Sequence, residues 1–229
     1  MYAIIYKGIS SSELGIFPVD RRIQIQAPER DVTVTEVPGR DGVLHIDNQR
    51  YKAISIPVNF NYKAHEDNVI YVFRNVKKWL RGPGKLKITY DSEYFYKCGN
   101  VVISNFKASG RKGEFTATFD CEPYTYSEEG QYEIKNPTEI YNDGYISKPS
   151  YRIVGEGMCT LNVNGNTLTV NVGQEVIINT SLMTAHRNGI NANTTVTGNI
   201  EEMVLNEGYN SISITPGFTL YLTPEWRYL

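Results

Sequence analysis

Side chains able to do chemistry are few and scattered. His45, His65 and His186 stand far apart, and no two of Cys98, Cys121 and Cys159 have the short spacing of a zinc knuckle. A metal site of clustered nitrogen and sulfur ligands is therefore not expected. His45 falls on an alternating strand and His65 just ahead of a helix, so both read as structural. A serine nucleophile of the elbow type needs Gly-x-Ser-x-Gly between strand and helix, and the chain has none. A thiol nucleophile needs a histidine beside it in space, which spacing alone leaves open. Cys98 and Cys121, at strand ends beside aromatics, read as small buried hydrophobes.

Two glycine-bearing stretches fail as phosphate sites. In RGPGKLKIT (81–89) the Gly84-Lys85 pair has Trp79 where a phosphate loop requires glycine, and Lys85 is followed by Leu86. Its glycines also follow a helix, so phosphate would meet the negative end of the dipole. GEGMC (155–159) lacks the third glycine and the following helix of a dinucleotide site. Paired carboxylates occur at Glu128-Glu129, Glu201-Glu202 and Asp91 with Glu93. Glycoside hydrolysis needs two carboxyls facing across a cleft, whereas adjacent acids in a strand point to opposite faces. These acids read as solvated surface charge. Nothing here demands an enzyme, a cofactor or a metal.

The elements that hold these residues are mainly strands. YAIIY (2–6), RIQIQ (22–26), VTVTEV (32–37), VLHID (43–47) and AISIPVNF (53–60) carry β-branched or aromatic residues, mostly alternating with polar ones. Pro57 argues for an edge position or a bulge in the last of them. Between 33 and 47 the tip Pro38-Gly39-Arg40-Asp41-Gly42 punctuates a hairpin. One helix interrupts the pattern. Val69, Val72, Phe73, Val76 and Leu80 form an apolar stripe at helical spacing within 66–80, with Trp79 beside it. Glu66 and Asp67 suit its electropositive start, Lys77, Lys78 and Arg81 its end, and Gly82-Pro83 stops it. Its basic face, with Arg74, reads as solvated.

Strands resume at 85–90, 94–98, 100–106 and 114–122, with residues 105–113 as the turn of a long antiparallel pair. The stretch from 123 to about 150, with three prolines and Asn-Asp-Gly, reads as a linker. In the second half LNVNGNTLTV (161–170) predicts a tight hairpin around Asn164-Gly165. Further strands are expected at 175–180, 200–205, 209–215 and 218–229, a set typical of a β-sandwich.

Composition agrees with a globular β protein: 229 residues, 41% hydrophobic and 21% charged, with a formal net charge of −2. That balance argues against nucleic-acid binding through bulk positive charge. MYAIIYKGIS has neither the basic start nor the long apolar core of a signal peptide, and no window reaches membrane-spanning length, so synthesis in a cytoplasm without membrane insertion is expected. Three scattered cysteines then fit reduced thiols. The sequons at Asn179 and Asn193 read as chance matches. The 17 tyrosines suit half-buried strand positions and interfaces.

Order and spacing along nearly the whole chain carry a resemblance. SSELGIFPVDRR (11–22), EVPGRDGVL (36–44), YKAISIPVNF (51–60) and KKWLRGPGKLKITYDSEYFYKC (77–98) resemble the N-terminal half of the distal tail proteins of long-tailed, non-contractile bacteriophages. NDGYISKPSYRIVGEGMCTLNVNG (142–165), NEGYNSISIT (206–215) and PEWRYL (224–229) resemble the second half. The resemblance implies a virion tail-tip protein of two domains. Residues 1–130 would be a tail-tube-like β-sandwich with a flanking helix and a hairpin arm, and 131–229 a galectin-like or carbohydrate-module-like sandwich. It implies a homo-hexameric ring joining the tail tube to the baseplate or fibre around a DNA conduit that reads no sequence. The implied partners are the major tail tube protein, the tape-measure protein and a tail-associated lysin or fibre (receptor-binding) protein. No large inserted carbohydrate module is present.

In such a ring one surface of each subunit meets a different surface of the next, and a strand arm can supply the contact. Residues 32–47 are the expected arm, with Val37, Pro38, Gly39, Arg40, Asp41, Gly42 and Val43 as the subunit-contact residues. An intramolecular hairpin with a solvated tip is the plain alternative. The alternative function is a carbohydrate-binding module for host surface glycans, with Tyr209, Tyr221, Trp226 and Tyr228 as stacking candidates; packing in a core or domain interface accounts for the same residues.

Overall fold

Alternation becomes sheet wherever a partner strand exists to receive it. The computed structural model describes residues 2–20, 23–63, 69–109 and 111–229. The chain divides into two units, 1–125 with Leu229, and 126–228. The first holds β1 (Ile4–Tyr6), β2 (Ile9–Ser10), β3 (Ile16–Pro18), β4 (Arg30–Glu36), β5 (Val43–Tyr51), β6 (Ile54–Lys63), α1 (Val69–Trp79), β7 (Gly84–Ile88), β8 (Tyr94–Ser109) and most of β9 (Lys112–Ser127). Its main sheet has the order β2-β1-β7-β8-β9-β6-β3. The fold is mainly β with one described helix.

Strand β6 shows how sequence builds this sheet. Ile54, Ile56, Val58, Phe60 and Tyr62 are buried while the residues between them are exposed, so one side chain in two enters the core. All ten residues pair with β9, from Ile54 opposite Cys121 to Lys63 opposite Lys112. On its other side β3 pairs only with Phe60, Asn61 and Tyr62. Pro57 therefore sits where the strand is locally an edge, and its missing N–H costs no ladder bond.

Helix α1 buries Val76, Trp79 and the adjoining Leu80 against this sheet. Trp79 Nε1–H donates to the Tyr6 carbonyl at 3.1 Å, and its ring meets Tyr6 and Phe60 edge-on, with centroids 6.5 and 6.3 Å away. Gly82 at φ +75° follows the helix, as a left-handed stop requires. His65 and the expected N-terminal acids Glu66 and Asp67 lie outside the described residues, as do Arg21, Arg22 and Gly110.

The second unit holds β10 (Ile134–Lys135), β11 (Glu139–Asn142), β12 (Ser150–Val163), β13 (Asn166–Asn179), β14 (Thr184–Arg187), β15 (Ile190–Asn191), β16 (Val196–Thr197), β17 (Gly208–Ile214), β18 (Thr219–Thr223) and β19 (Arg227–Tyr228). Its sheet runs β10-β18-β12-β13-β14-β15, with β16 on β13 and β17 bridging β11 to β12. The predicted hairpin is its longest feature. Val163 pairs with Asn166 around Asn164 (φ +53°) and Gly165 (φ +90°), the two positive angles of a primed turn. Tyr151, Ile153, Leu161, Val170, Val176 and Leu222 are among its fully buried core.

Several expectations are corrected. Ile23–Gln26 belongs to no strand: among the described residues its alternation finds no neighbouring strand to pair with. The strands expected at 94–98 and 100–106 run on through Gly99 as the single β8, and β9 continues through Pro123 to Ser127, well into the stretch expected to be linker. Residues 200–205 are not a strand. Ile200–Glu202 form a 3-10 turn in which the Asn199 side chain accepts from Glu201 N at 3.0 Å, so a cap competes successfully with the apolar pattern. Glu201 and Glu202 thus share a turn instead of opposite faces of a strand. Finally, Cys98 and Cys121 are joined as a disulfide, leaving only Cys159 as a free, buried thiol. Adjacency of β8 and β9 brings the pair together, which a sequence separation of 23 conceals.

Candidate subunit-contact site

Strands β4 and β5 form a two-stranded sheet of their own, outside both larger sheets. Register places Thr33 opposite Ile46, Val34 opposite His45, Thr35 opposite Leu44 and Glu36 opposite Val43. Residues directly opposite share a face. One face therefore carries Val32, Val34, Val43 and His45, the other Leu44 and Ile46 among threonines. An ordinary surface hairpin hides one face; here both are open, with Val34 55% and Ile46 47% exposed.

A lone hairpin is marginal in water, and this one is braced at its root. Lys52 N donates to Glu29 O at 2.9 Å. Arg50 Nε donates to Asp31 at 2.6 Å and Arg30 pairs with Asp47 at 3.2 Å. The Arg50 hydrogen bond holds the Asp31 carboxyl below the usual carboxylate range. Arg30 lies 5.2 Å over the Tyr51 ring, which in turn meets Tyr124 of β9 edge-on at 6.2 Å. Beyond the root the restraints thin out to a side-chain bond from Asn48 to Thr33 at 3.0 Å.

The tip is a turn of defined type. Arg40 N donates to Val37 O at 3.1 Å with Pro38 and Gly39 at the corners, and Gly39 stands at φ +81°. Proline followed by a left-handed glycine is the signature of a type II turn. Gly42, at φ +82°, leads the chain back into β5. Val37 through Val43 are thus gathered into one exposed tip. Among the described residues neither Arg40, Asp41 nor Glu36 has an ion-pair partner within reach. Reasoning from the tip alone overlooked the stem residues Val34, Leu44 and Ile46. The signal lay in Val43-Leu44, adjacent apolar residues that must point to opposite faces.

The four aromatic candidates of the second unit meet different partners. Tyr209 is 74% exposed and pairs edge-on with Tyr141 across β11 and β17 at 4.9 Å. Tyr221 lies 3.9 Å beneath the Arg152 guanidinium, which donates twice to Glu133, at 2.7 and 2.6 Å. Those bonds hold the Glu133 carboxyl below its usual range. Trp226 packs on the second core, and the Tyr228 hydroxyl donates to Asp143 at 2.8 Å. Tyr209 and Tyr221 stand at opposite ends of β12, because β17 meets it at residues 161–163 and β18 at 150–154. Tyr141, which sequence reasoning passed over, is an aromatic partner of Tyr209.

Among the described residues no three His, Cys, Asp or Glu side chains come together as a metal site, and no helix is long and apolar enough to cross a membrane. His45 is exposed on the arm, and the His186 ring lies 3.0 Å from the Thr184 hydroxyl.

Residues 9–121 match the family model of the phage tail protein RIFT-related domain. No curated protein matches the chain. Among solved structures, the crystal structure of the SPP1 Dit protein, described as a paradigm of the hub adsorption apparatus in phages infecting Gram-positive bacteria, is similar with a TM-score of 0.73. The likeness covers 100% of both chains at 12% sequence identity, and so speaks to the fold. Most of the first unit thus matches a phage tail protein domain family, and the chain shares the fold of a phage distal tail protein along its whole length.

Proposed function

We propose that this chain is a structural, distal-tail component of a phage tail and acts by assembly, closing as a homo-hexameric ring at the end of the tail tube. There it joins the tube to the baseplate or fibre and surrounds the DNA conduit. The observation that carries this reading is the free-standing β4–β5 hairpin, whose two apolar faces and charged tip are all open. Large exposed apolar surface on a soluble chain marks a contact site, and a head-to-tail contact repeated around an axis closes a ring. The tube protein and tape-measure protein on one side, and a lysin or fibre protein on the other, are the partners this position implies. DNA passes through without sequence readout, in keeping with a net charge of −2.

The test is the mass in solution by light scattering across protein concentration and salt. A particle of about six copies that dissociates when Arg40→Glu is combined with Asp41→Lys supports a ring held by its arms. A hexamer indifferent to that pair removes the tip from the interface. A monomer at every concentration removes the self-assembling ring.

A further inference from the structure

Three openings line up along the outward side of β6. The largest, about 710 Å³, is bordered by Phe17, Asn61, Lys63, Lys107 and Lys112. A second, about 310 Å³, shares Lys107 and Glu114 with it, and a third, about 290 Å³, shares Asn59 with the second. Together they make a furrow from Pro57 to Lys63.

The wide end of the furrow is unusual in charge. Register sets Lys63 directly opposite Lys112, and like charges in that relation weaken a strand pair. Neither ammonium has an ion-pair partner among the described residues, whereas neighbouring Lys107 is paired with Glu114 at 3.2 Å. Phe17, 37% exposed on edge strand β3, gives the same opening an apolar wall. An anionic group beside an apolar one is the chemistry this opening fits.

The arm tip carries that chemistry. Glu36 and Asp41 lack ion-pair partners among the described residues, and Val37 and Val43 beside them are 39% and 40% exposed. Arm and furrow also stand at opposite ends of one strand. The arm springs from beside Ile54, while the two lysines lie at Lys63, about 30 Å away at ~3.3 Å per residue. Separation of donor and acceptor is what a head-to-tail contact between copies needs.

We propose that the opening bordered by Phe17, Lys63 and Lys112 receives the arm tip of a second copy, with Glu36 and Asp41 against the two lysines and Val37 and Val43 against Phe17. The inference rests on the ring reading and adds the surface that accepts the arm.

The test uses the full chain and light scattering at low and moderate salt. Lys63→Glu with Lys112→Glu, and separately Glu36→Lys with Asp41→Lys, are each expected to lower the association constant at least about tenfold. All four together are expected to restore it to within about threefold, since the pairs are then exchanged across the contact. Lys112→Glu alone separates the interface from plain structure. Placing opposite charges across the strand pair raises the monomer's unfolding midpoint, while assembly weakens. In a further variant a two-residue Asn-Gly turn between Val32 and Asp47 shortens the arm. If the shortened arm abolishes assembly while the lysine reversals leave it unchanged, the acceptor is wrong and the ring reading stands. Failure of the fourfold exchange to restore assembly also overturns the acceptor. Should the shortened arm assemble like the parent, or the parent never associate, both readings fall together.

Discussion

Replacing Val34, Leu44 and Ile46 by threonine should dissolve the proposed assembly without touching the fold. The three side chains are 55%, 37% and 47% exposed in the single chain. Full burial of such a side chain is worth ~1.5–3 kcal/mol, so covering the half that remains open contributes roughly 0.7–1.4 kcal/mol each. For all three that is about 2–4 kcal/mol per arm, or roughly 30- to 1,000-fold in the association constant of each contact. Threonine suits a strand, and the root braces at Asp31, Arg30 and Tyr51 are left in place. The monomer's stability should therefore change by less than about 0.5 kcal/mol. Concentration-dependent light scattering gives the association constant, and thermal unfolding monitored by circular dichroism gives the control. Unchanged unfolding with lost assembly is the expected pair of results. An unaltered association constant would mean that the open faces of the arm contact nothing, and the reasoning from exposure to interface would be refuted.

Other outcomes test the rest of the structure. Trp79→Ala, which removes two edge-on ring contacts and the bond to the Tyr6 carbonyl, should destabilise the first unit by about 3–5 kcal/mol, read from chemical denaturation. Gly113→Ala would press a methyl against the Tyr62 hydroxyl and the Lys107 carbonyl; a loss of about 1–3 kcal/mol is expected, and a neutral result would show that the Tyr62 ring moves aside freely. Maleimide labelling of the denatured, non-reduced chain should modify one thiol, Cys159, rising to three after reduction. In the second unit, Glu133 has its carboxyl pKa depressed by Arg152, so its contribution is present above the unfolded carboxylate pKa and lost as pH falls through the folded one. Glu133→Gln should flatten that acid limb slightly, by well under about 1 kcal/mol for so exposed a pair after solvent screening.

Local chemistry was legible in the sequence and long-range partnership was not. Asn164-Gly165 specifies its own turn because positive φ is a property of those two residues, and Gly82-Pro83 likewise ends α1 by itself. The tip Pro38-Gly39 belongs to the same class. The disulfide depended on which strand lies beside which, and nothing in the spacing of Cys98 and Cys121 announces that β8 and β9 are neighbours. Ile23–Gln26 shows the converse: alternation is necessary for a half-buried strand but useless without a partner. At 200–205 a single asparagine side chain decided between strand and turn, a competition of a few hydrogen bonds that pattern reading cannot weigh. For the arm, the turn residues were visible, but its independence from both sheets followed only from where every other strand went.

Strand β6 has a consequence for the nascent chain. Its partner residues in β9 lie 49 to 67 positions later (112 − 63 and 121 − 54), so the strand cannot be zipped until a long stretch has been made. After Lys63 leaves the ribosome, 58 further residues (121 − 63) must follow before β9 has emerged as far as Cys121, roughly 3–12 s at ~5–20 residues per second. By contrast the β12–β13 hairpin needs only local closure and has the shorter search. Throughout the wait Ile54, Ile56, Val58 and Phe60 form an apolar row on a chain able to template an intermolecular ladder. Pro57, on the opposite face, breaks the strand's run of backbone donors with a residue that has no N–H to donate. The same proline that rests without cost on the local edge of the finished sheet is thus a gatekeeper during synthesis, guarding an apolar strand of the first unit until its partner arrives.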